Sequence, residues 1–352
     1  MLVQVAGPTL VAGRGTMFQL NLTILSAMAF ASIAAIVTAL ILKWLLASGW
    51  AWRLATDVPN ARSMHTRPTP RMGGWGIVPV GAVAIGIAAP HLWGIVAAML
   101  FLAIVSHIDD RRGLPARVRF AAHLIASAAI AALYSGGLAW FWIPIVAVGL
   151  AWLINLYNFM DGADGLAGGM TVFGFGSYAF AALAGPHPSV GLGWACAAIA
   201  GAAAGFLLLN FHPAKLFLGD AGSISLGLLA GAFGYWGWRH AVWPLWFPLV
   251  VFAPFIADAS VTLLRRLLRR EKFWEAHREH YYQRMVRLGV GHARTALCWY
   301  AAMLVGAVVS LSVLACSTAV QWMTIAAWGS ILFLLGVAID VCWSRFQILT
   351  SK

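Results

Sequence analysis

Long apolar stretches separated by short polar ones organise this chain throughout. Eleven stand out, at residues 24–46, 74–89, 92–107, 119–135, 138–156, 166–185, 189–209, 218–238, 242–264, 296–315 and 320–343. Many approach the roughly 20 residues that an α-helix needs to cross the hydrocarbon layer of a bilayer. They are filled with Ala, Leu, Ile, Gly and Trp and lack the two-residue alternation of a lipid-facing barrel strand. The pattern predicts an all-α, polytopic membrane bundle of about eleven transmembrane helices. The polar connections are too short for a second globular unit, so residues 1–352 read as one membrane domain, with its chemistry-bearing part at about 57–285. The first stretch is too long, and too closely followed by others, to be a cleaved leader; residues before Met17 read as a short mixed tail.

Composition agrees. Hydrophobic residues make up 62% of the chain and charged ones 10%, against roughly 25% charged in soluble domains. The formal charge of +12 would suit a nucleic-acid partner, but the placement of the cations argues against one. Arg53, Arg62, Arg67 and Arg71 follow the first span, Arg111, Arg112, Arg117 and Arg119 the third, Lys215 the seventh, and a run from Arg265 to Arg294 the ninth. With Lys43, Arg345 and Lys352, every basic residue except Arg14 and Arg239 falls on one side. The positive-inside rule makes that side cytoplasmic, with a periplasmic N-terminus and a cytoplasmic C-terminus. Most of these arginines then serve topology and contact with anionic lipid. Cys196, Cys298, Cys316 and Cys342 lie in or beside apolar spans without metal-ligand spacing, as small packing residues do.

The scarce acids carry the chemistry. Of eleven acidic residues, Asp109 and Asp110, Asp161 and Asp164, and Asp220 occupy three short segments, and Asp258 ends an apolar stretch. Ionisable groups in or beside a membrane are functional by default, and the eleven-span topology puts all three segments on the cytoplasmic side. In NLYNFMDGADGLAGG, at 155–169, two Asp-Gly pairs follow Asn158. Oxygen ligands gathered around a glycine-permitted turn suit magnesium, which takes one or two protein carboxylates and fills its shell with water and phosphate; helix capping is the plainer use of such acids. FLGDAGS, at 217–223, adds Asp220 between glycines. HIDDRR, at 107–112, adds adjacent acids that repel unless a cation or proton separates them. DVPNARSMHTRPTPRMGG, at 57–74, reads as an ordered loop with His65, Arg67 and Arg71. EKFWEAHREHYYQRM, at 271–285, reads as a helix with His277 and His280 on one face.

Taken in order, these motifs resemble the polyprenyl-phosphate N-acetylhexosamine-1-phosphate transferase superfamily, glycosyltransferase family 4. The resemblance implies a bacterial inner-membrane enzyme with a cytoplasmic active site. Such an enzyme moves a sugar-1-phosphate from a UDP-N-acetylhexosamine to undecaprenyl phosphate and releases UMP. It implies magnesium, with manganese as an alternative, on Asn158 and Asp220. It further implies catalytic acids at Asp109, Asp110, Asp161 and Asp164, and substrate contacts from Arg67, Arg71, Asn155, Lys215, His277 and His280. Asp258 matches the family's acid before the last large loop. The form His280-Tyr281-Tyr282-Gln283 resembles the O-antigen-initiating branch more than the peptidoglycan branch. Because a phosphomonoester's second pKa is near ~6, a base at Asp109 or Asp110 is not required, and organising metal and water is an equal role. Five carboxylates exceed what one magnesium binds, so some act from behind the ligands. The lipid bilayer is an implied partner, nucleic acid is not, and a homodimer stays open. The alternatives are a lipid I synthase and a transporter with a cytoplasmic-face ion site; a CDP-alcohol transferase lacks its arginine here. A transporter's ionisable groups belong at mid-bilayer, whereas these lie at span ends.

Overall fold

The computed structural model describes residues 9–57, 59, 67–272 and 277–350, with side chains from Asn21 onward apart from Leu54. Helix α1 (Thr9–Ala47) and the short α2 (Trp50–Leu54) lead into a hairpin of β1 (Thr56–Asp57) and β2 (Thr69–Pro70). Then follow α3 (Gly73–Ala88), α4 (Trp93–Arg112), α5 (Ala116–Leu133), α6 (Ile143–Phe159), α7 (Leu166–Ala184), α8 (Val190–Asn210) and α9 (Asp220–Arg239). The chain closes with α10 (Trp246–Val251), α11 (Ala253–Leu268), α12 (Tyr281–Met285), α13 (His292–Ser312) and α14 (Thr318–Thr350). The architecture is all-α and polytopic. Among the described residues, eight helices are long and apolar enough to cross a membrane, and α3 is apolar but shorter.

Several boundaries differ from expectation, each for a local reason. The stretch at 242–264 is broken: α10 stops at Val251 and α11 starts at Ala253. Pro254 lacks the N–H that would continue the ladder to Val250. The stretch at 138–156 shifts forward, because positive-φ Gly136 and Gly137 and the turn at Trp140–Trp142 precede a helix with proline in its first turn, a favoured helix start. The shift places both Asn155 and Asn158 on α6. Helix α1 already begins at Thr9, well ahead of the expected span start at residue 24.

Helix α9 is the axis of the bundle, and every residue from Gly222 to Gly237 is buried. It packs on α3, α4 and α6, while α8 packs on α1 and α7. Small residues allow the closest of these contacts. A Cβ on Gly201 or Gly205 of α8 would come within 2.0 and 2.1 Å of the Ala31 and Ala35 carbonyl oxygens of α1, the small-residue packing that substitutes for hydrophobic drive in lipid.

The two ends of the bundle differ in character. At one end Arg239 donates to the Ser135 and Gly136 carbonyls, each at 2.8 Å, and Trp140 is 80% exposed, as expected of an interfacial aromatic. At the other end the C-termini of α4 and α6, the N-terminus of α9, the hairpin and α12 come together. Arg71 pairs with Phe217 in a parallel bridge, and the amides of Gly73 and Gly74 bond to the Phe217 and Leu218 carbonyls. Those bonds fix the start of α9 against the hairpin.

Candidate active site

Asn158 sits in the last turn of α6. Its Nδ2 donates to Asp220 Oδ1 at 3.1 Å and to Ser223 Oγ at 2.9 Å, joining motifs 62 residues apart. Asp220 is the first residue of α9, where partial positive charge favours a carboxylate. Gly219 makes the entry possible: its φ is +74°, and a Cβ there would stand 3.3 Å from Arg71. Asp161 follows α6 and lines the same pocket as Asn158, Asp220, Arg71, Asp57 and Phe217.

The electrostatics of this pocket are unbalanced. Burial and then the charge of Asp220 push the Asp161 carboxyl well above the usual carboxylate range, with Arg71 acting the other way. Burial opposes the Arg71 cation. The hydrogen bond and charge of Asp57, then the charges of Asp220 and Asp110, outweigh that and raise its pKa. Arg71 is already bound to Asp57 at 2.9 Å, so it cannot by itself neutralise Asp161 and Asp220. The donor set fits a hard divalent cation: two carboxylates in need of charge, beside an amide whose nitrogen is engaged and whose oxygen remains.

A second cluster, whose Asp164 and His292 line the same pocket, is built differently. Asp164 Oδ2 is 2.6 Å from His212 Nδ1 and accepts the Ala214 N–H at 3.2 Å. The Asp164 N–H donates to His292 Nδ1 at 3.2 Å. The two imidazoles stack with centroids 5.4 Å apart and an interplanar angle of 7°. One ligand atom from each of Asp164, His212 and His292 lies within 4.8 Å of the others, a spacing that three metal ligands can adopt. Nitrogen donors suit a softer ion than magnesium, and Asp164 Oδ2 already has two partners. Asn210 and Tyr300 hold the same loop: Asn210 Oδ1 accepts the Gly165 N–H at 2.9 Å, and the Tyr300 hydroxyl donates to the Gly165 carbonyl at 2.6 Å.

A family model, glycosyl transferase family 4, matches residues 92–237, the stretch that carries Asp109, Asp110, Asn158, both loop acids and Asp220. A probable undecaprenyl-phosphate N-acetylglucosaminyl 1-phosphate transferase of Bacillus subtilis is 29% identical over 292 residues, covering 77% of this chain and 80% of that one. A decaprenyl-phosphate N-acetylglucosaminephosphotransferase of Mycolicibacterium smegmatis is 33% identical over 327 residues, covering 75% and 77%. The chain belongs to glycosyl transferase family 4. A phospho-N-acetylmuramoyl-pentapeptide-transferase of Halalkalibacterium halodurans is 44% identical, but over 88 residues and a quarter of this chain.

The family motifs do not all converge as expected. The acidic pair divides. Asp109 accepts the Leu114 N–H at 2.6 Å and Arg119 Nη1 at 3.0 Å, so it closes the α4–α5 turn. Asp110 is the member within electrostatic reach of Asp220 and Arg71. Asn155 returns its Nδ2 to the Ala151 carbonyl at 2.7 Å, a bond within its own helix. Arg67 and Lys215 are exposed and do not line the pocket.

The late histidine loop also differs. Residues 277–280 are not helical, and the helix of this region is α12 alone; residues 273–276, like His65, lie outside the described residues. The helix starts late because Asp258 accepts the N–H groups of Tyr281 and Tyr282, at 2.8 and 3.1 Å, and His280 caps it. His280 is buried beside Asp258 and stacked between Phe159 and Tyr282. His277 lies over His280, 4.8 Å between centroids; burial first, then the charges of His280 and Arg266, lower its pKa to about 4. The sequence reading missed roles for Asp57, Asn210, His212, Phe217 and His292. Asp57 and Phe217 open two of the motifs quoted above, but His292 follows a glycine at a helix start with no motif to mark it.

Proposed function

We propose that the protein transfers an N-acetylhexosamine-1-phosphate from a UDP-sugar to a polyprenyl phosphate, releasing UMP and starting a cell-envelope glycan. The carrying observation is the pocket itself: Asn158, Asp161, Asp220 and Arg71, from three separate motifs, meet at one end of the bundle within reach of Asp110. Phosphoryl transfer needs positioning and charge neutralisation more than covalent help from the protein, and acids with one guanidinium suit that need. An oxygen of the lipid phosphate attacks the sugar-linked phosphorus. The bond from that phosphorus to the bridging oxygen breaks, and UMP leaves with the bridging oxygen and its electron pair.

Asp220 and Asn158 would hold magnesium, which when bound supplies charge neutralisation for the diphosphate. Arg71, kept cationic by Asp57, orients a phosphate oxygen. Asp161 holds its place beside Asp220 and shares the bound cation's field, and Asp110 orders the acceptor end. The cation-rich loops support a cytoplasmic position for this end of the bundle. N-acetylglucosamine is the sugar named for the long-coverage relatives, and it is the first donor to test. Among envelope polymers, O-antigen initiation fits the form His280-Tyr281-Tyr282-Gln283. The test is UMP release by purified protein from a panel of UDP-sugars with polyprenyl phosphate. UMP release that requires both substrates and a divalent cation supports the reading; solute flux without UMP release contradicts it and favours a transporter.

A further inference from the structure

Helix α14 lies on the outside of the bundle, and Trp328 is its one buried residue among those described. Its single acid, Asp340, is also the last carboxylate side chain in the sequence. An acid on a helix that otherwise faces lipid is unfavourable unless it is paired. Asp340 is paired several times over. Arg265 grips it bidentately at 2.8 and 2.6 Å, Arg284 Nη1 donates at 2.7 Å, and the Tyr281 hydroxyl donates at 3.2 Å.

The neighbouring positions on α14 serve the same partner. Gly336, Asp340 and Trp343 fall on one helix face. A Cβ at Gly336 would stand 3.2 Å from the Tyr281 hydroxyl, and the Arg284 and Arg287 guanidinium carbons lie 5.9 and 4.6 Å from the Trp343 ring centroid. Their target, α12, has five residues, too few to hold a helix unaided. On its other side α12 is bound by Asp258 through two backbone amides. The Tyr282 hydroxyl then donates to the Phe159 carbonyl at 3.0 Å, two residues before Asp161.

We propose that Asp340 is a positioning residue that makes α14 a strut: through Tyr281, Arg265 and Arg284 it presses α12 onto the end of α6 and fixes the loop that carries Asp161. Neutralising two arginines would satisfy charge alone. The stripe of Gly336, Asp340 and Trp343 adds a geometric fit that charge does not require. Any effect on catalysis rests on the transferase reading above; the mechanical claim does not.

The experiment uses the full chain in detergent or nanodiscs, as wild type, Asp340→Asn, Asp340→Glu and Trp343→Leu. It reads amide exchange at 281–285, and kcat and KM for UDP-N-acetylglucosamine. In Asp340→Asn, exchange in α12 should quicken about tenfold while α9 is unchanged. Its kcat should fall on the order of 10- to 100-fold, with KM moving under about threefold. Asp340→Glu should recover most of the loss, and Trp343→Leu should act in the same direction but less. Wild-type exchange and kcat in Asp340→Asn would overturn the strut. If Asp340→Asn does not fold, unchanged exchange in Trp343→Leu overturns it, and so does global unfolding of both variants. If the wild type releases no UMP, the transferase reading fails, and exchange alone decides the strut.

Discussion

The DGADG loop holds two aspartates three residues apart, and their surroundings are opposite. Asp164 is held in place: its Oδ2 meets His212 Nδ1 and accepts the Ala214 N–H, and its backbone N–H donates to His292 Nδ1. Asp161 is not: it faces Asp220 with one guanidinium nearby, and that guanidinium is engaged by Asp57. An acid with its bonds already made holds a loop in place. An acid whose charge is opposed by its surroundings stores a demand that a cation or a phosphate-bound metal meets. The same division separates Asp109, which closes a turn, from Asp110, which lies within electrostatic reach of Asp220 and Arg71. In both pairs the motif is one unit on paper and two jobs in space.

The largest expected effect lies in the unsatisfied pocket. Asp220→Ala should lower kcat for UMP release by about 10³-fold or more, while the thermal midpoint stays near wild type. Next, Asp161→Asn should lower kcat on the order of 10²-fold and leave stability equal or higher, because it removes a half-buried carboxylate held against another. Asp164→Ala should reverse that profile: a stability loss of about 1–2 kcal/mol from the hydrogen bonds lost around a buried carboxylate, read by chemical denaturation, with a smaller fall in kcat. If Asp164→Ala proved the more damaging to kcat and harmless to stability, the comparison would be broken.

The acidic pair of α4 sharpens the same contrast at smaller scale. Asp110→Asn should lower kcat several-fold more than Asp109→Asn. Asp109→Asn should cost about 1 kcal/mol of stability through the weakened turn. His277 gives the smallest effect. Its folded pKa, about 4, lies below the ordinary value near ~6.5, so the unfolded chain binds more protons between those values. Its contribution to stability is therefore complete above about pH 6.5 and is lost as pH falls toward about 4. His277→Phe should flatten that part of the stability–pH curve and leave kcat near neutral pH unchanged within about twofold.

Much of this was legible in the chain. The apolar periods mark the helices, and the quoted motifs name Asn158, Asp161 and Asp220. Three kinds of information were not. The break between α10 and α11 depends on a proline's missing donor within an apolar run that otherwise reads as continuous. The jobs of Asp109 and Asp164 depend on which backbone amides a turn presents, and a motif's spelling does not state that. His212, His292 and Asp340 act across 48, 128 and 56 or more residues, distances fixed by helix packing and by nothing local. His280 shows the converse: a motif residue that the fold buries behind Asp258.

One measurement bears on all of this most directly. Manganese, standing in for magnesium, can be added to the purified protein and its electron-spin-echo modulation recorded in the presence of UMP. A metal held by Asp220 and Asn158 in an oxygen environment should show phosphorus coupling from the nucleotide and no histidine-nitrogen coupling. Strong histidine-nitrogen coupling, abolished by His212→Ala, would place the ion on Asp164, His212 and His292 and contradict the assignment of the pocket.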